Sequence, residues 1–203
     1  MAEDGVDEAK RATLRRFAAL GTIPFAAGGA AASEAADAPL SREAIAGYIA
    51  ETPGAHFSKL RDDLHLGTGE AQHHLRSLLE EDTVESVRDG DYRRFYPAGR
   101  FSQFEQVALG YLRRETARGM VLALLRDPGR SGTQLATDLG VSRATVSDWA
   151  TRLETAGLLS REDGYAVERP ETVLVLVVQY GDSMGEDAAR FAATASELLS
   201  FDP

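Results

Sequence analysis

Cysteine is absent from all 203 residues, which excludes disulfides, thiolate zinc ligands and thiol redox chemistry and fits a reducing cytoplasm. Histidine is scarce: His56, His65, His73 and His74 are the only four. They form no HExxH pattern, and the adjacent His73 and His74 are not at the i, i+4 spacing that brings two metal ligands onto one helix face. No phosphate-cradling glycine loop follows a strand, because Gly28-Gly29 lies in an Ala/Gly-rich stretch. No nucleophile–base–acid constellation is readable along the chain. These absences leave no metal, no cofactor and no catalytic activity to expect. No apolar run is long enough for a membrane-spanning helix.

Lysine is nearly missing as well. Lys10 and Lys59 stand against 20 arginines and 32 acidic residues, for a net charge of −10. This balance resembles proteins of salt-loving archaea that hold molar KCl, where the Debye length is roughly 3 Å. At that salt an acidic protein can still approach a polyanion, so the charge describes habitat more than partner.

What the chain does have is an internal repeat. Shifted by 75 residues, Leu64–Leu75 falls on Leu139–Ala150, Pro53-Gly54 on Pro128-Gly129, Leu60 on Leu135, Leu78 on Leu153 and Val84 on Leu159. Such a period is too long for a solenoid unit and suits a duplicated small domain. In the first copy, Ser41 is placed as an N-cap before a helix with Ala44, Ile45, Tyr48 and Ile49 on one face. A helix over Phe57–Leu64, a turn at Gly67 and a helix to about Glu81 follow. Val84–Arg88 and Asp91–Tyr96 then make a hairpin around Asp89-Gly90. The second copy repeats the order: a helix with Met120, Val121, Leu124 and Leu125, another over Thr133–Leu139, a turn at Gly140, and a Ser142-capped helix to Ala156. A shorter hairpin around Asp163-Gly164 ends it.

This is the element order of a winged helix-turn-helix, whose second helix enters the DNA major groove. The expected fold is therefore mainly α with small β-hairpin wings, in two tandem winged helix-turn-helix domains plus C-terminal helices. The expected divisions are an N-terminal helix and flexible tether (1–40), a first domain (41–100), a linker helix opened by a Ser102–Glu105 capping box (101–115), a second domain (116–169) and a helical segment (170–203).

Both termini leave alternatives open. Leu14–Leu20, with Arg15-Arg16 and a weakly apolar run to Ala32, resembles a twin-arginine signal, yet also reads as an amphipathic helix over Glu8–Leu20 plus a tether. At the other end, Val173, Leu174, Leu176 and Val177 are followed by a stripe of Ala188, Phe191, Ala192, Ala195, Leu198 and Leu199. A helix so apolar must be buried, either within the chain or against a second copy in a homodimer.

The candidate contacts to double-stranded DNA come from the outward faces. On the first reading helix these are Thr68, Gly69, Gln72, His73 and Arg76. Gln can bond adenine bidentately, Thr and backbone N–H groups suit phosphate, and Arg suits guanine or phosphate. The first wing adds Arg88, Arg93 and Arg94. The second helix offers Ser142, Arg143, Thr145, Ser147 and Arg152 beside an unfavourable Asp148, and Glu70 poses the same problem on the first. The second wing balances Arg161 with Glu162, Asp163 and Glu168, so the first copy is expected to contact DNA more strongly.

The segments His56–Leu60, Gln72–Arg76 and Arg88–Arg94 resemble archaeal winged helix-turn-helix transcriptional regulators, and Val141–Ser147 is similar to the recognition-helix start of MarR-like and ArsR-like repressors. The C-terminal helices are similar to the tails of haloarchaeal double-winged-helix proteins. Trp149-Ala150 departs from the pattern, which usually has a small polar residue or His and then Leu. The resemblance implies a cytoplasmic, sequence-specific regulator that occupies promoter DNA as a dimer. A second possibility is a protein-interaction module built on winged helices, associated with a membrane through its N-terminus.

Overall fold

A computed structural model of the protein describes residues 3–21 and 37–195. The Ala/Gly-rich stretch with Gly28-Gly29 and the run to Ala32 lie outside the described residues, as do Leu198, Leu199 and Phe201. The chain divides into two compact units, Met1–Phe101 and Ser102–Pro203.

The first unit runs α1 (Glu3–Gly21), α2 (Asp37–Glu51), β1 (Ala55–His56), α3 (Phe57–Asp63), α4 (Thr68–Glu80), β2 (Val84–Asp89) and β3 (Tyr92–Pro97). The strands form an antiparallel sheet in the order β1-β3-β2. Ala44, Ile45, Tyr48 and Ile49 from α2 meet Leu60, Ala71, Leu75, Leu78 and Phe95 in one core. Helix α1 joins it. Leu14 and Ala18 are buried, and the Phe17 ring stands edge-on to Tyr48 at 5.2 Å. Leu14, Phe17 and Ala18 of α1 are thus packed against the rest of the unit, while Leu20 stays exposed.

Three local expectations change. Ser41 caps nothing: α2 already begins at Asp37, and the fully buried Ser41 hydroxyl bonds elsewhere. The turn before α4 takes its left-handed residue at His65 (φ +54°), while Gly67 has φ −65° and is the α4 N-cap. The hairpin register pairs Asp89 with Tyr92, so its two-residue loop is Gly90-Asp91, one position later than predicted.

The second unit runs α5 (Gln103–Leu112), α6 (Glu115–Arg126), α7 (Gly132–Leu139), α8 (Arg143–Thr155), β4 (Leu159–Ser160), β5 (Ala166–Val167), α9 (Pro170–Tyr180), a 3-10 turn (Gly181–Ser183) and α10 (Glu186–Thr194). Helix α8 reproduces α4 at an offset of 75 from first residue to last. The backbone closures recur too. Leu66 N–H donates to the Arg61 carbonyl as Val141 does to Ala136, and Thr83 donates to Leu78 as Leu158 does to Leu153. Left-handed residues sit at His65 and Gly140, and again at Asp82 and Gly157. The repeat is therefore a repeat of backbone geometry, which buried side chains alone do not dictate.

The C-terminal helices pack inside the second unit. Val173, Leu176, Val177, Ala188 and Phe191 are buried there, and Arg126 lies over the Phe191 ring at 4.8 Å. Arg118 Nε donates to both Asp187 carboxylate oxygens, at 2.9 and 2.8 Å, and its Nη1 donates to the Leu112 carbonyl. Val175 and Val178 remain exposed on α9.

Candidate nucleic-acid interface

Helix α4 is amphipathic for a simple reason. Ala71, His74, Leu75 and Leu78 recur at three- and four-residue spacing and are buried, so the remaining positions must face outward. Thr68, Gly69, Gln72, His73 and Arg76 are all exposed, and they share that outward side. Thr68 Oγ1 also accepts from Arg61 of α3 at 3.5 Å. His73 and His74 divide as adjacent helical residues should: one is exposed, the other buried, with ring centroids 5.2 Å apart. Desolvation, with help from His73 and Arg42, holds the His74 imidazole below the usual histidine pKa despite the opposing Glu70.

The first wing sorts its arginines by their position along the strands, exposed near the hairpin tip and buried further in. Arg88 and Arg93 are direct partners across β2 and β3 and are both exposed. Arg93 Nε donates to Ser86 Oγ at 2.8 Å. Among the described residues, neither guanidinium is bonded to a carboxylate. Like charges directly opposite in a ladder repel, so this pair gains from an anion placed against it.

Arg94 is the correction. Arg94, Phe95 and Tyr96 are buried in succession; Arg94 lies where β3 also pairs with β1, opposite His56, and it is only 3% exposed. Its Nε donates to Asp89, its Nη1 donates to the Gly54 carbonyl at 2.7 Å, and it lies over the Tyr92 ring. Arg94 braces the wing and is not available to DNA. Tyr92 in turn lies against His56, 4.9 Å between centroids. His56 caps α3 by accepting the Lys59 N–H at its Nδ1. Desolvation and the neighbouring Arg94 lower its pKa.

Glu70 is not left facing DNA. Its carboxylate accepts from Ser41 Oγ at 2.7 Å, from Lys10 Nζ at 3.2 Å and from the Gly67 N–H at 3.4 Å. Burial pushes its carboxyl upward, but the Ser41 and Lys10 bonds outweigh that and hold the group ionised below the ordinary glutamate pKa. Sequence reading missed Lys10 and Ser41 because the contacts span 60 and 29 residues.

On α8 the matching face is thinner. Ser142 Oγ accepts the Thr145 N–H at 3.0 Å and lies 2.9 Å from the Thr145 hydroxyl, so both side chains serve the cap. Arg143 and Ser147 are exposed, beside an exposed Asp148. Arg152 is exposed but stacks over Trp149 at 5.0 Å, and Trp149 packs edge-on to Tyr111 of α5. Trp149-Ala150 is thereby explained: the indole packs toward α5 while Ala150 takes the buried site. Arg161 of the short second wing is tied back to Glu154. Among the described residues no three acidic or histidine side chains come together in a way that could hold a metal, and no helix is long and apolar enough to cross a membrane.

Residues 40–109 match the family model of an N-terminal HTH domain, and residues 112–160 match that of a homeodomain-like domain. The chain is 30% identical over 125 residues to the uncharacterized HTH-type transcriptional regulator MJ1398 of Methanocaldococcus jannaschii, a match covering 61% of this chain and 31% of that protein. It thus spans about a third of the length of that relative. No solved structure matches the chain. The chain carries two tandem helix-turn-helix domains, mostly helical with small antiparallel wings.

Proposed function

We propose that this chain regulates transcription by binding double-stranded DNA in a sequence-specific way, and that its first helix-turn-helix domain does most of the reading. The observation that carries this is the exposed face of α4 together with the exposed Arg88–Arg93 couple, bonded to no carboxylate among the described residues, on the wing of the same unit. In this reading α4 lies in the major groove. Gln72 bonds adenine N6 and N7, Arg76 takes guanine or phosphate, and Thr68, the Gly69 backbone and His73 fix the helix on the phosphates. Arg88 and Arg93 follow the flanking backbone or the minor groove. In the second domain Arg143, Ser147 and Arg152 add weaker contacts, and Ser142 and Thr145 contribute their backbone rather than their hydroxyls.

The finer reading is a cytoplasmic regulator of a salt-adapted archaeon that acts by occupying its promoter. The two lysines and the net charge of −10 support the habitat. Val141–Ser147 favours a MarR-like or ArsR-like relation for the second domain. Among the described residues, pairing into a homodimer through the C-terminal segment falls to the exposed Val175 and Val178, since Val173, Leu176, Val177 and Tyr180 of α9 are buried within the unit. Two copies would read half-sites about 34 Å apart.

Retardation of genomic duplex fragments by the full chain, followed by genome-wide chromatin immunoprecipitation, tests this proposal. Discrete binding sites upstream of genes are the expected result. Failure to retard any fragment at any KCl concentration that keeps the chain folded eliminates it. A scaffold role has one specific support, the second domain's exposed Asp148 and acidic wing. In that case the protein would assemble with another protein and leave DNA alone.

A further inference from the structure

Helix α1 lies outside the helix-turn-helix, yet it reaches the first turn of α4. Lys10 Nζ sits 3.2 Å from Glu70 Oε2, while the hydroxyl of the fully buried Ser41 donates to Glu70 Oε1 at 2.7 Å. One carboxylate oxygen is thus turned into the unit by α2 and the other is neutralised by α1. Glu70 is the third residue of α4, where an anion suits the helix dipole. It is also one residue from Gly69 and two from Gln72, on the turn that must approach phosphate. A free carboxylate there repels the DNA backbone; a bonded one does not. The arrangement keeps the helix-favouring anion and removes its cost to binding.

We propose that α1 is a positioning element of the DNA-reading helix: Lys10, with Ser41, holds the Glu70 carboxylate neutralised and turned away from the DNA-facing surface. The inference rests on the DNA-binding reading above. Lys10, Ser41 and Glu70 touch no DNA themselves and act through the start of α4.

The test measures duplex affinity for the full chain, at the lowest salt that preserves the folded circular dichroism spectrum. The proteins are the wild type, Lys10→Ala, Ser41→Ala, Glu70→Gln and the two double variants with Glu70→Gln. Lys10→Ala should weaken binding by about threefold to tenfold, the effect of one exposed carboxylate near phosphate. Ser41→Ala changes no charge yet should weaken binding in the same direction. Glu70→Gln alone should bind at least as tightly as the wild type, and adding it should restore both single variants. If Lys10→Ala does not fold, Lys10→Gln takes its place.

Binding by Lys10→Ala or Ser41→Ala equal to wild type overturns the proposal, as does failure of Glu70→Gln to restore them. Either result leaves the DNA-binding reading standing, because the wild type still binds. A wild type that binds no duplex overturns both.

Discussion

Arg94 and Asp89 are bonded to each other inside the first wing, five residues apart on facing strands, and Arg94 also holds the Gly54 carbonyl before β1. This arginine ties the hairpin to the loop ahead of β1. Replacing it leaves a carboxylate and a carbonyl without their donor. Arg94→Ala should cost about 3 kcal/mol of stability, the usual price of breaking a buried pair from one side. Chemical denaturation of the variant measures it; a loss under 1 kcal/mol would show that water replaces the guanidinium freely.

The two units should answer acid differently. All four histidines belong to the first. His74 and His56 both have lowered pKa values, chiefly from desolvation; around His56, Arg94 and Lys59 oppose protonation while Asp62 and Asp63 favour it. A histidine depressed on folding binds its proton more readily in the unfolded chain. Stability is therefore full above about pH 6.5 and falls as the pH drops through the depressed values. In the second unit, Asp187 is pushed up by burial but held lower overall by Arg118, so its contribution is lost only at pH values below the ordinary carboxylate range. Calorimetry between pH 7.5 and 5 should show the first unit's transition moving down while the second stays. Equal movement of both contradicts this assignment.

His65 and Asp82 occupy left-handed backbone where the second copy has Gly140 and Gly157. A side chain there costs about 1–2 kcal/mol, partly offset by the greater flexibility that glycine adds to the unfolded chain. His65→Gly and Asp82→Gly should each stabilise the first unit by about 0.5 kcal/mol, seen as a higher denaturation midpoint with unchanged slope. Destabilisation by either would mean that its side chain makes a contact worth more than the strain.

Phe191 is fully buried within the second unit. Phe191→Ala should cost about 3–5 kcal/mol at every protein concentration, because the side chain is covered by its own chain. A loss that disappears on dilution would instead place it in an interface between copies.

The fold was largely legible because the buried positions of a helix-turn-helix recur at fixed spacing, and Leu60, Leu75, Leu78 and Val84 have counterparts at Leu135, Ala150, Leu153 and Leu159. The outward face of α4 follows from the same spacing. Sequence reading failed where contacts are long-range. Nothing local indicates that Leu14 packs with α2 or that Lys10 meets Glu70. Arg94 belongs with these: its burial beside an exposed Arg93 depends on the pairing of β1 with β3 and on the Gly54 carbonyl, which no local period reveals. The apolar C-terminal helices were readable as buried, but their covering surface depends on Arg118 meeting Asp187 and Arg126 meeting Phe191 across the second unit.

Base reading should be concentrated on Gln72. Gln72→Ala is expected to cost about 1–3 kcal/mol against a preferred duplex and to relax discrimination at one base pair, with little loss on random DNA. Binding-site selection with the variant measures this. An unchanged preferred sequence would remove Gln72 from the reading residues.

The central claim is that the first unit's helix face and wing hold the DNA. The salt dependence of duplex binding tests it most directly, with Arg88→Ala/Arg93→Ala compared against Arg143→Ala in the full chain. The wing variant should bind about tenfold more weakly, with a log–log salt slope smaller by about 2, one for each lost phosphate contact. Arg143→Ala should change both far less. A larger loss from Arg143→Ala, or an unchanged slope in the wing variant, would contradict the account.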